Sequence, residues 1–155
     1  MIKPTGTSFE YNFVGTRARL LISGAQTAGA FSMMEFFAPP GNTTPIHQHE
    51  SAEETLHILD GAVEAIINGE HLVLTAGQTM LFPRKVPHRL VTHGDRMARY
   101  IVVSTPAGFE EFVDSCADAQ QGPVAPVPPS PQDIERLLSV ADRFGITLFP
   151  DADSH

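Results

Sequence analysis

At 155 residues the chain suits one domain with a core of its own. Only 18% of residues are charged, while 12 glycines and 13 prolines point to a loop-rich β protein and away from a helical bundle. The formal net charge of −8 argues against nucleic acid as a partner, and no apolar run reaches the 18 residues that would suggest a membrane span.

The amino-terminal stretch, Met1 to Gly6, lacks the apolar core of a signal peptide, and Cys116 is the only cysteine. Both features fit a reducing, cytoplasmic setting. Phe9, Tyr11 and Phe13 recur at period two and predict a short edge strand. Arg17 to Ile22 and Ala30 to Phe37 predict two further strands, the second stopped by Pro39-Pro40-Gly41. Residues 42–53 must be partly loop, because the odd parity of His47 and His49 does not continue to Glu54. Glu54, Leu56 and Ile58 then share one face of a strand, and His57 lies on the other.

Asp60-Gly61 and Asn68-Gly69 are hairpin signals on either side of Ala62–Ile67, because such pairs accept the positive φ of a two-residue turn. Leu72–Leu74 and Thr79–Phe82 follow as short strands. Pro83 and Pro87 bracket a stiff loop that delivers His88 onto a strand over His88–Thr92. Gly94-Asp95 turns the chain into Ala98–Ser104. Short strands with regular glycine turns argue for a sandwich or barrel.

After Thr105 the texture changes. Phe109, Phe112, Val113 and Cys116 recur at helical spacing. Residues 121–129 carry four prolines and form a stiff connector. Ser130-Pro131-Gln132-Asp133 starts a second helix, with Ser130 as cap. Its apolar stripe is Ile134, Leu137, Leu138, Ala141 and Phe144, and Gly145 ends it. Asp151 to His155 reads as a loose tail.

The chemistry concentrates between Gly41 and His88. On an extended strand His47 and His49 point to the same side, with Cα atoms about 6.6 Å apart. Two imidazoles so placed can lean onto one divalent ion, at bonds of about 2.0–2.1 Å. Glu54 adds a carboxylate, favoured over its neighbour Glu53 by its alternation with Leu56 and Ile58. His88 adds a third imidazole. The single cysteine rules out a closed thiolate site. Arg84 and Lys85, beside His88, could draw an anionic substrate to the mouth. Met33, Met34, Phe36, Met80, Phe82 and Leu90 are candidates for a cavity lining, with core packing as their default role. No nucleophile elbow, phosphate loop or dinucleotide fingerprint occurs.

These residues resemble the two motifs of the cupin superfamily. Gly41, His47, His49, Glu54 and Gly61 match every position of the first. Gly77, Pro83 and His88 match the second, with Lys85 where that motif has glycine and Thr92 where it has asparagine. The resemblance spans roughly Gly15 to Thr105, and Pro106–Phe112 resembles the segment after the barrel in small quercetin-dioxygenase-like cupins. It implies an all-β fold, a double-stranded β-helix or jelly-roll barrel, with one or two C-terminal helices. Residues 1–105 would form the barrel with its edge strand. Residues 106–155 would be an extension of short helix, proline-rich linker and helix, packing on the barrel.

The resemblance also implies one divalent transition metal (Fe, Mn, Ni, Co or Zn) held by His47, His49, Glu54 and His88. The activity it points to is a metal-dependent dioxygenase of quercetinase-like type, taking O2 and a small enolic or phenolic substrate, with Glu54 as the catalytic base. A metal-assisted isomerase or lyase, and a non-enzymatic small-molecule binding or sensing module, are the alternatives. A homodimer is expected from the same resemblance and from the apolar outer strands.

Overall fold

The computed structural model describes residues 9–150. The expectations for the first residues and for the tail at 151–155 lie outside that range. Twelve strands form two antiparallel sheets. They are β1 (Phe9–Phe13), β2 (Thr16–Ile22), β3 (Ser32–Ala38), β4 (Ile46–His49), β5 (Glu53–Asp60), β6 (Ala62–Ile67), β7 (Glu70–Thr75), β8 (Thr79–Phe82), β9 (His88–His93), β10 (Ala98–Thr105), β11 (Gln120–Gln121) and β12 (Ile146–Phe149). Two helices, α1 (Phe109–Cys116) and α2 (Pro131–Val140), follow the main run of strands. The first sheet has the order β11-β1-β2-β3-β10-β5-β8, and the second β12-β4-β9-β6-β7. The expected jelly roll is what the chain forms.

Alternation builds the core. Along β5 the even positions Glu54, Leu56 and Ile58 are buried, and along β10 Ala98, Tyr100, Val102 and Ser104 are. They meet Val63 and Ala65 of β6 and Leu74 of β7 from the opposite sheet. The predicted hairpins hold. Asn68 and Gly69 both take positive φ, as the mirror-image turn requires. Gly61 sits at φ 72, where an added β-carbon would lie 2.6 Å from the Met97 carbonyl oxygen, so only glycine fits.

The C-terminal segment does more than lie on the barrel. α1 and α2 build a second apolar cluster from Phe112, Cys116, Leu137, Val140, Ala141 and Ile146, with Phe13 and Phe109 against it. Ser130 and Asp133 form a reciprocal capping box at the start of α2, as the sequence indicates. The apolar stripe is narrower than expected. Leu137 and Ala141 are buried together with Val140, whereas Leu138 is 59% and Ile134 36% exposed. A helix this short packs through one line of contacts, and residues a quarter-turn away stay at its edge.

Three elements were not foreseen. A 3₁₀ turn over Gly24–Thr27 delays the third strand to Ser32. β11 pairs with β1, and Val124 N–H donates to Glu10 Oε2 at 2.7 Å, so the proline-rich connector is tied to the sheet edge. Most consequential is β12, which returns after Gly145 to pair with β4 in the register Leu148↔His47 and Ile146↔His49.

Candidate metal centre and its chamber

β4 carries His47 and His49, β9 carries His88, and β5 of the facing sheet carries Glu54. His47 and His88 are direct cross-strand partners, so their rings come within 4.4 Å, centroid to centroid. The ring of Phe82 stacks on His88 at 4.4 Å and fixes its plane. One ligating atom from each of His47, His49, Glu54 and His88 lies within 4.8 Å of all the others. The separations suit ligation: His49 Nε2 is 3.0 Å from Glu54 Oε1, and His88 Nε2 is 3.5 Å from Glu54 Oε2. Two ligands at right angles on one ion, with bonds near 2.1 Å, stand about 3.0 Å apart.

Hydrogen bonding prepares the nitrogens. His47 Nδ1 contacts the Pro45 carbonyl oxygen at 2.8 Å, and His88 Nδ1 that of Val86 at 3.1 Å. A carbonyl only accepts, so each Nδ1 carries the proton and each Nε2 keeps its lone pair. His49 Nε2, His88 Nε2 and Glu54 Oε1 are buried without an aligned hydrogen bond. His49 Nε2 and Glu54 Oε1 at least face each other at 3.0 Å, whereas an atom such as His88 Nε2 left unpaired costs about 1–3 kcal/mol. A divalent ion would satisfy all of them, and the donor set is one that first-row ions accept.

The electrostatics agree. Burial, helped by the neighbouring His88, drives His47 down to about 4, so it is a neutral ligand near pH 7. Burial would also lower His49, but the adjacent Glu54 carboxylate outweighs it and raises His49 above its ordinary value. Burial alone would raise Glu54, yet the His49 and His88 rings beside it hold it well below the usual carboxylate range.

The cluster opens on a chamber of about 640 Å³, counted to its open mouth. Its walls are largely apolar, with the aromatic rings of Phe13, Phe36, Tyr100, Phe109 and Phe112 beside aliphatic residues such as Leu148. Among the described residues no lysine or arginine borders it. Of the residues expected to line a cavity, Phe36 and Leu90 do so. Met34 is buried in the core, Phe82 backs His88, and Met33 and Met80 take no part in the wall. Arg84 and Lys85 do not border the chamber either; Arg84 instead pairs with Glu53 at 3.0 Å. A second cavity lies on the His49 side, and Phe109 and Ile146 border both. His57 faces away and contacts Thr79 Oγ1, while His71 pairs with Glu64 at the surface.

Sequence reasoning missed Tyr100 and the entire C-terminal wall. The apolar run Tyr100–Val103 reads as a core strand without showing that a cavity adjoins it. The two departures from the second motif are also accounted for. Lys85 takes φ 60, the left-handed conformation that glycine would adopt there. Thr92 is buried, its Oγ1 3.4 Å from the Ala38 carbonyl and its N–H donating to Asn42 O.

Comparison with known proteins points the same way. Residues 34–104 match the cupin domain family. Quercetin 2,3-dioxygenase of Bacillus subtilis (strain 168) is 26% identical over 141 residues, covering 89% of this chain and 42% of that protein. The chain thus spans less than half the length of that relative. The polyketide cyclase RemF of Streptomyces resistomycificus superposes with a TM-score of 0.59 at 25% identity, over 87% of this chain and 92% of the other. A predicted oxalate decarboxylase of Thermotoga maritima gives 0.59 at 21%, over 68% and 98%.

Proposed function

Because the chain belongs to the cupin superfamily, we propose that it is a metal-dependent dioxygenase that opens or oxidises an uncharged, planar aromatic substrate bearing an enol or phenol. The observation that carries this reading is the chamber. His47, His88 and Glu54 of the cluster line an apolar pocket with five aromatic side chains in its wall and, among the described residues, no lysine or arginine. Oxalate and sugar phosphates are small anions and need lysine or arginine to replace their water. A flat aromatic ligand needs apolar area and edge or face contacts, which the phenylalanines provide.

His47, His49, Glu54 and His88 would hold the ion. A divalent metal there supplies Lewis acidity towards a substrate oxygen. The chain supplies the rest. Phe13, Phe36, Phe109 and Phe112 clamp the ring and exclude bulk water. Glu54 accepts the enol or phenol proton. Leu137 of α2 and Ile146 and Leu148 of β12 complete the apolar wall. Similarity to quercetin 2,3-dioxygenase supports an O2-using reaction.

The test is anaerobic loading with Fe(II), Mn(II), Co(II), Ni(II) or Zn(II), followed by O2 uptake with flavonols and aromatic diketones. Uptake with at least one metal supports the reading; none with any metal ends it. A second reading has one observation in its favour. The polyketide cyclase match covers nearly the whole of both chains, which supports an oxygen-independent, metal-assisted rearrangement of an aromatic polyketide-like substrate. Turnover under argon separates the two.

The homodimer belongs with this proposal. Met33, Phe37, Val103 and the exposed Leu81 lie on the outer face of the seven-stranded sheet, away from the chamber. Light scattering at the mass of two chains would support it. Buried Cys116, the one cysteine, fits a reducing compartment such as the cytoplasm.

A further inference from the structure

The chain has two tyrosines, and both are buried in the barrel. They are treated differently by their surroundings. Tyr11 donates its hydroxyl proton to Asp114 Oδ1 at 2.8 Å. Tyr100 is 4% exposed and its ring stacks on Phe36, with centroids 5.6 Å apart and planes 18° from parallel. Its hydroxyl makes no hydrogen bond with any described residue. Of the threonines in the chamber wall, Thr16 donates its hydroxyl proton to the Phe13 carbonyl, and Thr44 Oγ1 accepts from Leu90 N–H. Among the described residues Tyr100 supplies the phenol of the wall, and it borders the same space as Glu54 with no protein partner for its hydroxyl.

The Tyr100 hydroxyl oxygen is not sealed from solvent, so it costs the fold little and stays available to a ligand. A donor that borders a cavity without a protein partner is what a ligand-recognition group looks like before its ligand arrives. Burial, with the Glu54 charge added, pushes the Tyr100 phenol well above its ordinary value, so it stays protonated and can act as a donor. Glu54, across the same chamber, is an acceptor. A donor and an acceptor that share one flat, apolar pocket select a ligand offering the complementary pair.

We propose that Tyr100 is the positioning residue that sets specificity: its O–H donates to a ring carbonyl of the substrate while the neighbouring enol or phenol O–H faces Glu54. The substrate class is then an aromatic hydroxyketone, and a plain phenol or catechol lacks half of the recognition. This rests on the aromatic-substrate reading above.

Tyr100→Phe tests it, with Tyr11→Phe as the control. In urea, the metal-free Tyr100→Phe protein should unfold at the same or a higher midpoint than the parent, whereas Tyr11→Phe should unfold earlier. A merely structural hydroxyl would shift both midpoints down. Binding to the metal-loaded protein is then measured with two probes: quercetin, which carries the hydroxyketone, and catechin, which lacks the ring carbonyl. Tyr100→Phe should weaken quercetin by about tenfold, the worth of one neutral hydrogen bond, and leave catechin and metal content unchanged. Equal quercetin affinity in parent and variant overturns the role of Tyr100 while leaving the aromatic-substrate reading intact. A midpoint that falls as far as in Tyr11→Phe overturns it as well. If the parent binds neither probe, the aromatic-substrate reading fails and takes this inference with it.

Discussion

Two carboxylates of the seven-stranded sheet, Glu35 and Glu54, are almost equally hidden, at 2% and 7% exposure. They point to opposite faces. Glu35 sits on the outside of β3, where Arg99 Nε reaches one oxygen at 2.8 Å and Arg19 Nη2 the other at 2.5 Å. Both cations are part of the chain and always charged. Glu54 faces inward, and its neighbours are three imidazoles, of which His47 is driven firmly neutral. The sheet thus carries one buried anion with its counter-charges built in and one whose surroundings suit a cation from outside. The first arrangement is closed within the chain and the second is the candidate metal site, although each is a glutamate in a strand.

The comparison is tested by making the same change at both places. Glu54→Gln should lower divalent-metal affinity at least 100-fold, about the upper end of what even an indirect partner of a ligand contributes. It should also lower the urea midpoint of the metal-free protein near neutral pH, because the Glu54 charge and the raised His49 support each other. Equilibrium dialysis and urea titration read the two effects. Glu35→Gln should act on stability alone. It leaves two guanidiniums facing a neutral amide and should cost about 2–3 kcal/mol in urea, with partial exposure of both arginines keeping the loss below that of a fully buried pair. Metal affinity should be unchanged.

pH sharpens the contrast further. His49 is raised in the fold, so its contribution to stability is complete below its ordinary value near 6.5 and is lost as pH rises through the raised value. His47 is lowered to about 4, so the fold loses stability as pH falls from about 6.5 towards 4. Glu54, held low, adds to that loss on the acid side. The metal-free protein should therefore be most stable near pH 6.5. Saturating metal takes the place of the His49 proton and should remove the decline on the alkaline side. Urea midpoints across pH 4–9, with and without metal, check this.

The division between the two faces also marks what the sequence disclosed. His47, His49, Glu54 and His88 were legible because strand periodicity and motif spacing fix which side each points to. The hairpins at Gly61 and Gly69 were legible because their turn chemistry is local. β12 was not. Four residues after a helix stop carry too little pattern, and the strand exists only because β4, about a hundred positions earlier, has a free edge. The chamber was hidden for the same reason, since Phe109, Phe112, Leu137 and Leu148 reach it through long-range packing. The stripe of α2 was read too broadly, because a moment of hydrophobicity does not say how wide the partner groove is.

Lys85 gives the smallest test. It occupies a left-handed conformation that β-carbon-bearing residues adopt at a cost. Lys85→Gly should stabilise the chain by about 0.5 kcal/mol, the strain relieved being offset in part by extra freedom of the unfolded chain. Metal affinity should not change, because the His88 side chain is held by Phe82 and the Val86 carbonyl.

The most direct measurement is metal stoichiometry and ligation on the parent and on His88→Ala, by elemental analysis joined to X-ray absorption of the loaded protein. The account predicts one divalent ion per chain, bound through three imidazole nitrogens and a carboxylate oxygen, and its loss in the variant. A parent that takes up no stoichiometric metal, or a variant that binds it with the same ligand set, would contradict it.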